Sequence, residues 1–462
     1  MAKQQLTEDE IKAIVARELR LSQGSDRTEL AQKRLTALEY YQGEMKDVPA
    51  EVGRSKVVSM DVSDTIGWML PGIVRVFTAS DHMAQAEPVE QGDIESAKQA
   101  TDGVNYVFWK QNDGYKVLYD ATHDSLLLGD GIIKAWWDDE PIYTVSTHSG
   151  LTAEQLQMLV ADDDVEVMAL TPYDNGTHDV KIRRVKSKGK IKLAVIAGED
   201  FYIDPEAKSV DDARFLADRC DVTRSDLIAD GYDVDKVNSI NAGDDDEAEE
   251  FARGVRDQDD SATDKSTELV EKYECQLMVD VDGDGMAETV RAIYAGKGDS
   301  GVLLHWEVWD SEPIYYSIPC DPIPHRWDSR SVADVTMDVQ RVKTVLLRQA
   351  LDNIYAANIP QKEAEAGSVV NPDELVNPQF GGVIWRKAGS APIVPHVTPF
   401  IANHAFDAIN YQDQVIERRT GVSRQTMALD PEALQNQTAT ANQNARDASY
   451  SRIRSEERRV GK

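Results

Sequence analysis

The longest helical pattern in the chain lies between Ser331 and Tyr355. Six apolar side chains recur there at steps of three and four, the spacing of one helix face: Val332, Val335, Val339, Val342, Leu346 and Ile354. The run contains neither glycine nor proline, Ser329 or Ser331 can cap its start, and Pro360 stops it. The pattern predicts a helix about 40 Å long, at about 1.5 Å per residue. A one-sided helix of that length requires a partner surface, either within the chain or on a neighbouring subunit.

Helical patterns also dominate the N-terminal part of the chain. Thr7 and Glu10 form a capping box ahead of two helices that cover residues 7–42 and are separated at Gly24-Ser25. Three further helical segments are predicted, with Pro71-Gly72 as a kink in the first: Ser55–Ser80, Asp93–Lys110 and Tyr115–Leu128.

After Gly129-Asp130-Gly131, the spacing of apolar residues changes from that of a helix to that of strands. Nine strands are predicted: Ile132–Trp137, Ile142–Ser146, Val165–Leu170, Val180–Val185, one within Lys192–Pro205, Tyr273–Val279, Glu288–Tyr294, Val302–Trp309 and Tyr315–Ile318. Short helices are predicted between them at Leu151–Val160, Asp211–Asp218 and Arg224–Asp230. Beyond the long helix come a strand at Gly382–Lys387 and a helix at Ile401–Thr420. The mixture predicts an α+β protein.

The formal net charge of −32 argues against a protein that grips nucleic acid through basic patches. It is compatible with a protein that surrounds DNA without gripping it, because acidic walls repel phosphate. The three cysteines are far apart and lack metal-ligand spacing, so free thiols in a reducing cytosol are expected: Cys220, Cys275 and Cys320. The N-terminus has no hydrophobic signal region, and no apolar run approaches about 18 residues. We therefore expect a protein made in the cytoplasm, with no membrane partner.

Two charged segments could carry chemistry, and both have a simpler interpretation. The basic run at 181–192 could contact nucleic acid, but alternating Lys and Arg around a glycine favour a solvated hairpin. The acidic block at 244–264 predicts a disordered or solvated loop.

The turn DVDGDGMAE matches the first half of a calcium loop. Its carboxylates could supply a metal site, with these ligands: Asp280, Asp282, Asp284 and Glu288. Arg291 stands at the twelfth position, where a calcium loop needs glutamate, and the flanking sequence is extended. A hairpin turn without metal is therefore favoured, and calcium binding stays the alternative. The sequence has no nucleotide-binding or hydrolase motif and no catalytic constellation, so neither enzyme activity nor a cofactor is predicted.

Several segments, in their order and spacing, resemble the portal protein of tailed bacteriophages, specifically the short-tailed phage type. They are YYQGEM (40–45), GRSKVVSMDVSDTIGWMLPGIVRVFT (53–78), LLLGDGIIKAWW (126–137), GEDFYIDPEAKSVDDARFLADR (198–219), PIPHRWDSRSVADVTMDVQRVKTVLLRQALDNIYAANIP (322–360), IERRTGVSRQT (416–426) and DPEALQNQTATA (430–441).

The resemblance implies a ring, typically a dodecamer, at one vertex of the virion capsid, assembled in the host cytoplasm. Double-stranded DNA would pass through it without sequence specificity during packaging and ejection. Its partners would be further copies of itself, the terminase large subunit, tail or adaptor proteins, and the major capsid and scaffolding proteins.

The family architecture implies a helical and β wing, long stem helices, a small clip and a tunnel helix. These would cover residues 1–320 (wing), 321–361 (first stem helix region), 362–399 (clip) and 400–426 (second stem or tunnel helix). Residues 427–453 would begin a truncated C-terminal region. Residues 454–462 resemble a translated adapter string and are expected to be non-native.

Two groups of residues would act in such a ring. The DNA tunnel would be lined by a polar set on the returning helix: Asn403, Asp407, Asn410, Gln414 and Arg418. Pairing between subunits in the stem would involve Arg341, Lys343 and Arg348. The rival from another class is an acidic calcium-binding structural or adaptor protein that uses the turn at 280–288, and a metal-dependent nuclease is a further alternative suggested only by the abundant acid.

Overall fold

The computed structural model describes residues 6–79, 82–88, 91–138, 142–160, 165–172, 178–187, 189–240, 265–296, 298–309, 314–376 and 381–422. The acidic block at 244–264 and everything after residue 422 lie outside the described residues, including the segments predicted at 427–453 and 454–462. The described part combines helices and antiparallel sheets, which confirms the α+β class.

The helices, in chain order, are α1 (Glu8–Ser22), α2 (Ser25–Gln42), α3 (Asp61–Thr78), α4 (Ile94–Tyr106), α5 (Gly114–Leu128), α6 (Ala153–Val160), α7 (Arg224–Ala229), α8 (Val234–Asn238), α9 (Val332–Asn358), α10 (Asp373–Val376) and α11 (Ala402–Thr420). A π-helical turn, Val107–Gln111, continues α4.

The strands are β1 (Asp130–Asp138), β2 (Ile142–Leu151), β3 (Val165–Pro172), β4 (His178–Ser187), β5 (Lys190–Ile196), β6 (Phe201–Ile203), β7 (Phe215–Thr223), β8 (Leu269–Val279), β9 (Glu288–Ala295), β10 (Val302–Val308), β11 (Tyr315–Pro319), β12 (Asp321–Pro322), β13 (Ser329–Arg330), β14 (Lys362–Glu363) and β15 (Val394–Pro395).

The largest sheet has the order β10-β9-β8-β7-β6, and all its pairs are antiparallel. Helix α1 covers it, because Ile11, Val15 and Leu19 lie one helical turn apart and are almost fully buried. They pack with the strand residues Tyr273 and Tyr294. This core joins α1 to strands that follow it by about 180 to 290 residues.

A second sheet, β11-β1-β5, is built on an interrupted hairpin. Strands β1 and β5 pair from Ile132↔Ile196 to Asp138↔Lys190, and the chain between them forms the separate sheet β2-β4-β3. The hairpin predicted across 181–192 is therefore wrong. The run belongs to β4 and β5, which pair in different sheets, because β4 lies between β2 and β3 while β5 pairs with β1.

Three other local predictions are corrected. The helix predicted at Asp211–Asp218 is a 3-10 turn at its first two residues and strand β7 at its last four; the first five residues of β7 are buried on both faces and therefore lack the alternation of a half-buried strand. Helix α3 begins only at Asp61, because the N–H groups of Ser55 and Ser59 bind side chains of α9 and residues 55–60 form no helix. In the predicted strand Gly382–Lys387, only Arg386 pairs, in an isolated bridge to Val369.

The helical core lies beside these sheets. Helices α2, α3, α5 and the start of α9 contribute its buried residues, among them Leu38, Val62, Ile66, Leu127 and Ala333. Pro71 lies inside α3 without ending it. The buried residues of α9 from Val332 to Thr344 lie against this core, whereas in the second half of α9 only Ala350 is buried.

Candidate functional site

The base of helix α9 is fixed by a reciprocal cap. The Ser331 hydroxyl accepts a hydrogen bond from the backbone N–H of Asp334 at 3.0 Å, and the Asp334 carboxylate accepts one from the N–H of Ser331 at 2.8 Å. The helix runs for 27 residues to Asn358 and ends two residues before Pro360. Both boundaries confirm the prediction, with Ser331 as the capping residue.

The Gly129-Asp130-Gly131 turn packs directly against this base. Gly129 has φ +104°, and a β-carbon there would lie 2.4 Å from the carbonyl oxygen of Ser329. A β-carbon on Gly131 would lie 2.0 Å from the carbonyl oxygen of Ala121. Both positions therefore require glycine, and they bring Asp130 to within 3.0 Å of the backbone N–H of Ser329.

Asp130 is the most strongly perturbed acid at this junction. It is 2% exposed, and only one carboxylate oxygen has a hydrogen-bond partner, the Ser329 N–H. Burial raises the pKa of Asp130 to about 6, although the Ser329 hydrogen bond and the charge of Arg34 act in the opposite direction and Asp328 adds to the rise. A carboxyl group that titrates near pH 6 therefore lies where the sheets meet the long helix.

One side of α9 is covered by an irregular strap, residues 43–60, and by the helix ends on either side of the strap. The Gln340 side chain donates to the carbonyl of Tyr40 at 2.9 Å and accepts from the N–H of Val62 at 2.8 Å. Thr344 accepts from the N–H of Ser59, and Asp352 accepts from the N–H of Ser55. Polar side chains of α9 thus bind backbone groups of the strap and of the two helix ends that flank it.

The buried face of α9 is consequently more polar than the sequence predicted. Thr336, Gln340 and Thr344 are fully buried, whereas Val342 of the predicted apolar stripe is 43% exposed. The stripe prediction is thus wrong at Val342, although Val332 and Val339 are buried, because part of the covering surface is strap backbone rather than an apolar face. Val342 remains available to a surface outside this chain.

Lys343 joins three helices. Its ammonium group contacts Asp61 at the start of α3 and lies 2.6 Å from Asp413 of α11. Burial alone would lower the pKa of Lys343, but the hydrogen bonds and charges of these two carboxylates raise it above its ordinary value. The contact holds the returning helix against the long helix and the helical core.

The other two residues predicted to pair between subunits also have partners in their own chain. Arg348 donates to the carbonyls of Val57 and Val48 in the strap, at 2.9 and 2.8 Å. Arg341 lies 3.5 Å from Asp47, and both side chains are largely exposed. Inter-subunit pairing by Arg341, Lys343 and Arg348 stays a prediction.

Helix α11 returns along α9 and is held at both ends. Asn353 of α9 donates to the carbonyl of Pro399 and accepts from the N–H of Ile401, both at 3.0 Å. At the other end, Arg419 donates to the Val335 carbonyl at 2.8 Å and to the Asp338 carboxylate at 2.6 Å. The two helices therefore form an antiparallel pair.

The structure places the predicted tunnel residues on one exposed face of α11. All five are exposed, and their spacing of three or four residues aligns them along the helix: Asn403, Asp407, Asn410, Gln414 and Arg418. The opposite side holds the buried residues Ala402 and Ile416. Whether the exposed face lines a tunnel stays a prediction.

The predicted turn at 280–288 is a hairpin connection, because Val279 of β8 pairs with Glu288 of β9. Its four acidic residues offer oxygen atoms that all lie within 4.8 Å of one another: Asp280, Asp282, Asp284 and Glu288. The Asp280 carboxylate accepts from the N–H groups of Gly283 and Gly285, and Glu288 accepts from that of Val281. The carboxylates therefore stabilise the turn themselves, and calcium binding stays a prediction.

A buried charge cluster lies between the two main sheets, and the sequence pattern did not predict it. Lys134 of β1 lies 2.7 Å from both Asp218 of β7 and Glu274 of β8, and Arg291 lies 2.7 Å from Glu274. Burial would raise the pKa of Glu274, but Lys134 and Arg291 hold it below its ordinary value. Tyr315 donates to Asp218, and burial raises the pKa of that phenol well above its ordinary value. Two positive and two negative charges thus join the sheets, and the available signal was Lys134 at a core-facing position two residues after Ile132.

Comparison with known proteins identifies the chain over almost its whole length. A family model described as phage SU10 portal protein matches residues 11–462, a range that includes both helices of the pair. No curated protein matches the chain. Within the described residues, no helix has the length and apolarity needed to cross a membrane.

Proposed function

The chain belongs to the phage SU10 portal protein family, and on that basis we propose that it is one subunit of a ring at a single vertex of the capsid. The ring is the conduit through which DNA is packaged and ejected. It is also the docking site for the terminase large subunit and for tail or adaptor proteins. The family match over residues 11–462 is the observation that carries this proposal.

In the proposed arrangement, residues 1–320 form the wing and residues 321–361 the first stem helix region. The clip covers residues 362–399, and the second stem or tunnel helix covers residues 400–426. Supporting this division, only Ala350 is buried in the second half of α9, and α11 returns antiparallel to α9 after a long connecting segment. An exposed Val342 on α9 provides apolar surface for a neighbouring copy.

We propose that the exposed polar face of α11 faces the DNA. Four of its five residues are neutral or acidic, and the whole chain carries a net charge of −32. Such a wall makes few attractive contacts with phosphate, so the duplex can slide rather than bind. The proposed role is structural, and the energy for packing comes from the partner ATPase.

The first test is the shape of the assembled protein. Electron microscopy or native mass spectrometry of the full chain should show closed rings with a central hole, typically of twelve copies. A chain that remains a monomer at high concentration would contradict the proposal.

A second test addresses the tunnel face. Gln414→Lys should give the ring a salt-sensitive affinity for double-stranded DNA, because each copy adds a cation facing phosphate. Gln349→Lys, at an exposed position of α9, makes the same chemical change outside the proposed tunnel. DNA binding measured by fluorescence anisotropy at two salt concentrations distinguishes them, and equal affinities for the two variants would exclude α11 as the lining.

A further inference from the structure

The connecting segment, residues 359–401 between α9 and α11, buries almost none of its described side chains. In its described parts, 359–376 and 381–401, Ser368 alone is buried. Large apolar side chains project into solvent instead, among them Val376 (75% exposed), Trp385 (65%) and Val397 (82%). A segment of this size normally gains its stability by burying such side chains.

Backbone hydrogen bonds nevertheless give the segment a definite course. Strands β14 and β15 pair at Lys362↔Pro395 and Glu363↔Val394. Further along, the N–H of Val370 donates to the carbonyl of Trp385, and that of Lys387 to the carbonyl of Ser368, both at 2.9 Å. A two-stranded ribbon of this kind is marginal in water without a surface that covers it.

The charge of the segment favours a second copy of this chain as that surface. Residues 359–401 contain four acidic residues (Glu363, Glu365, Asp373 and Glu374) and three basic ones (Lys362, Arg386 and Lys387), which gives a net charge of −1. The whole chain carries −32. Copies therefore repel each other over most of their surface but very little here.

The apolar surface also continues beyond the segment onto the helix pair. Tyr355 near the end of α9 is 62% exposed, and Ile401 and Phe406 at the start of α11 are 59% and 39% exposed. The same surface thus reaches the helices through which ring neighbours are proposed to meet.

We propose that the connecting segment is a subunit–subunit contact, in which Trp385 and the neighbouring valines are buried against the adjacent copy of this chain. The inference rests on the proposed ring. The adjacent copy would bury the apolar side chains that are exposed in a single chain. Trp385 would be the central anchor, since buried tryptophans dominate the binding energy of interfaces.

The test compares two tryptophan substitutions in the full chain. Trp385→Glu should raise the concentration for half-maximal assembly about tenfold or more, measured by mass photometry, because loss of a buried aromatic anchor has effects of that size. Trp137→Glu is the matched control, since Trp137 is similarly exposed at 58% and lies outside the segment. Circular dichroism should show that both variants keep the wild-type fold, because neither side chain is buried in the monomer.

The outcomes separate this inference from the proposed function. Wild-type rings that form equally well with Trp385→Glu overturn the inference and leave the portal assignment intact. Normal assembly of Trp385→Glu with lost binding of a terminase or tail protein would also overturn it, because the cover would then be a different protein. A wild type that forms no rings contradicts both. Impaired assembly of Trp385→Glu alone supports the contact.

Discussion

The buried carboxyl group of Asp130 makes the stability of the junction depend on pH. Burial raises its pKa from the ordinary value of 3.8 to about 6 in the folded chain. Between these values the folded state binds more protons than the unfolded state, so stability falls as pH rises. The stabilisation that comes from protonating Asp130 in the folded state is fully present below about pH 3.8 and is lost as the pH rises through 6. The complete loss is about 3 kcal/mol, at about 1.4 kcal/mol for each pH unit.

The substitution Asp130→Asn removes this titration while keeping an oxygen that can accept from Ser329. At any one pH, the change in the free energy of unfolding combines several changes in hydrogen bonding. The change in that difference between two pH values reports only the titration of Asp130. From pH 5 to pH 8 the wild type should lose about 1.4 kcal/mol relative to Asp130→Asn, since one pH unit separates 5 from the folded pKa.

Urea unfolding followed by tryptophan fluorescence at pH 5 and pH 8 measures this difference. Asp211→Asn, at an exposed acid, is the control and should show no comparable change between the two pH values. A difference between wild type and Asp130→Asn that stays constant with pH would refute the reasoning, because the carboxyl group would then not be desolvated in the folded chain.

Three further predictions concern the same architecture. Lys343→Met should destabilise the chain by about 3 kcal/mol in urea unfolding, because it leaves two half-buried or buried carboxylates without their cation, whereas Arg341→Met at an exposed pair should cost less than about 1 kcal/mol; equal effects would contradict the role given to Lys343. Gly131→Ala should destabilise the folded chain by about 3 kcal/mol in the same assay, because its β-carbon clashes with the Ala121 carbonyl. The control Gly67→Ala, in the open middle of α3, should stabilise the chain by up to about 1 kcal/mol. An unchanged stability of Gly131→Ala would show that the backbone there can move. Millimolar calcium should leave Tm in differential scanning fluorimetry unchanged within about 1 °C, because the turn carboxylates already accept backbone N–H groups. A larger rise that Asp282→Ala abolishes would instead establish the calcium-binding alternative.

Local pattern was sufficient to predict the long helix and the β8–β9 hairpin. The cap at Ser331 and the stop before Pro360 are read from a few adjacent residues, and the β8–β9 turn from its own glycines and aspartates. These features depend on contacts close in sequence, which is why a single chain reveals them.

Features that depend on distant partners were not predictable in this way. The polar buried face of α9 exists because Gln340 meets Tyr40 and Val62, which are 300 and 278 residues away. The failed hairpin at 181–192 has the same origin, since nothing in the local pattern states that β5 returns to β1 across an intervening sheet. At the candidate site, residue types on α11 predicted the exposed face, but the anchoring of that helix through Asp413 depends on Lys343, 70 residues earlier.

The strap along α9 also determines the order in which the chain can fold during synthesis. The N–H groups of Ser55, Ser59 and Val62 obtain their partners on α9 only when that helix has been made, nearly 300 residues later. At about 5–20 residues per second, that interval lasts on the order of 15–60 s. During it, the apolar residues Val62, Ile66 and Leu70 lack the surface of α9 that closes their core. The nascent chain therefore exposes a helical segment that chaperones can bind, and the helical core is completed only after α9 has been synthesised.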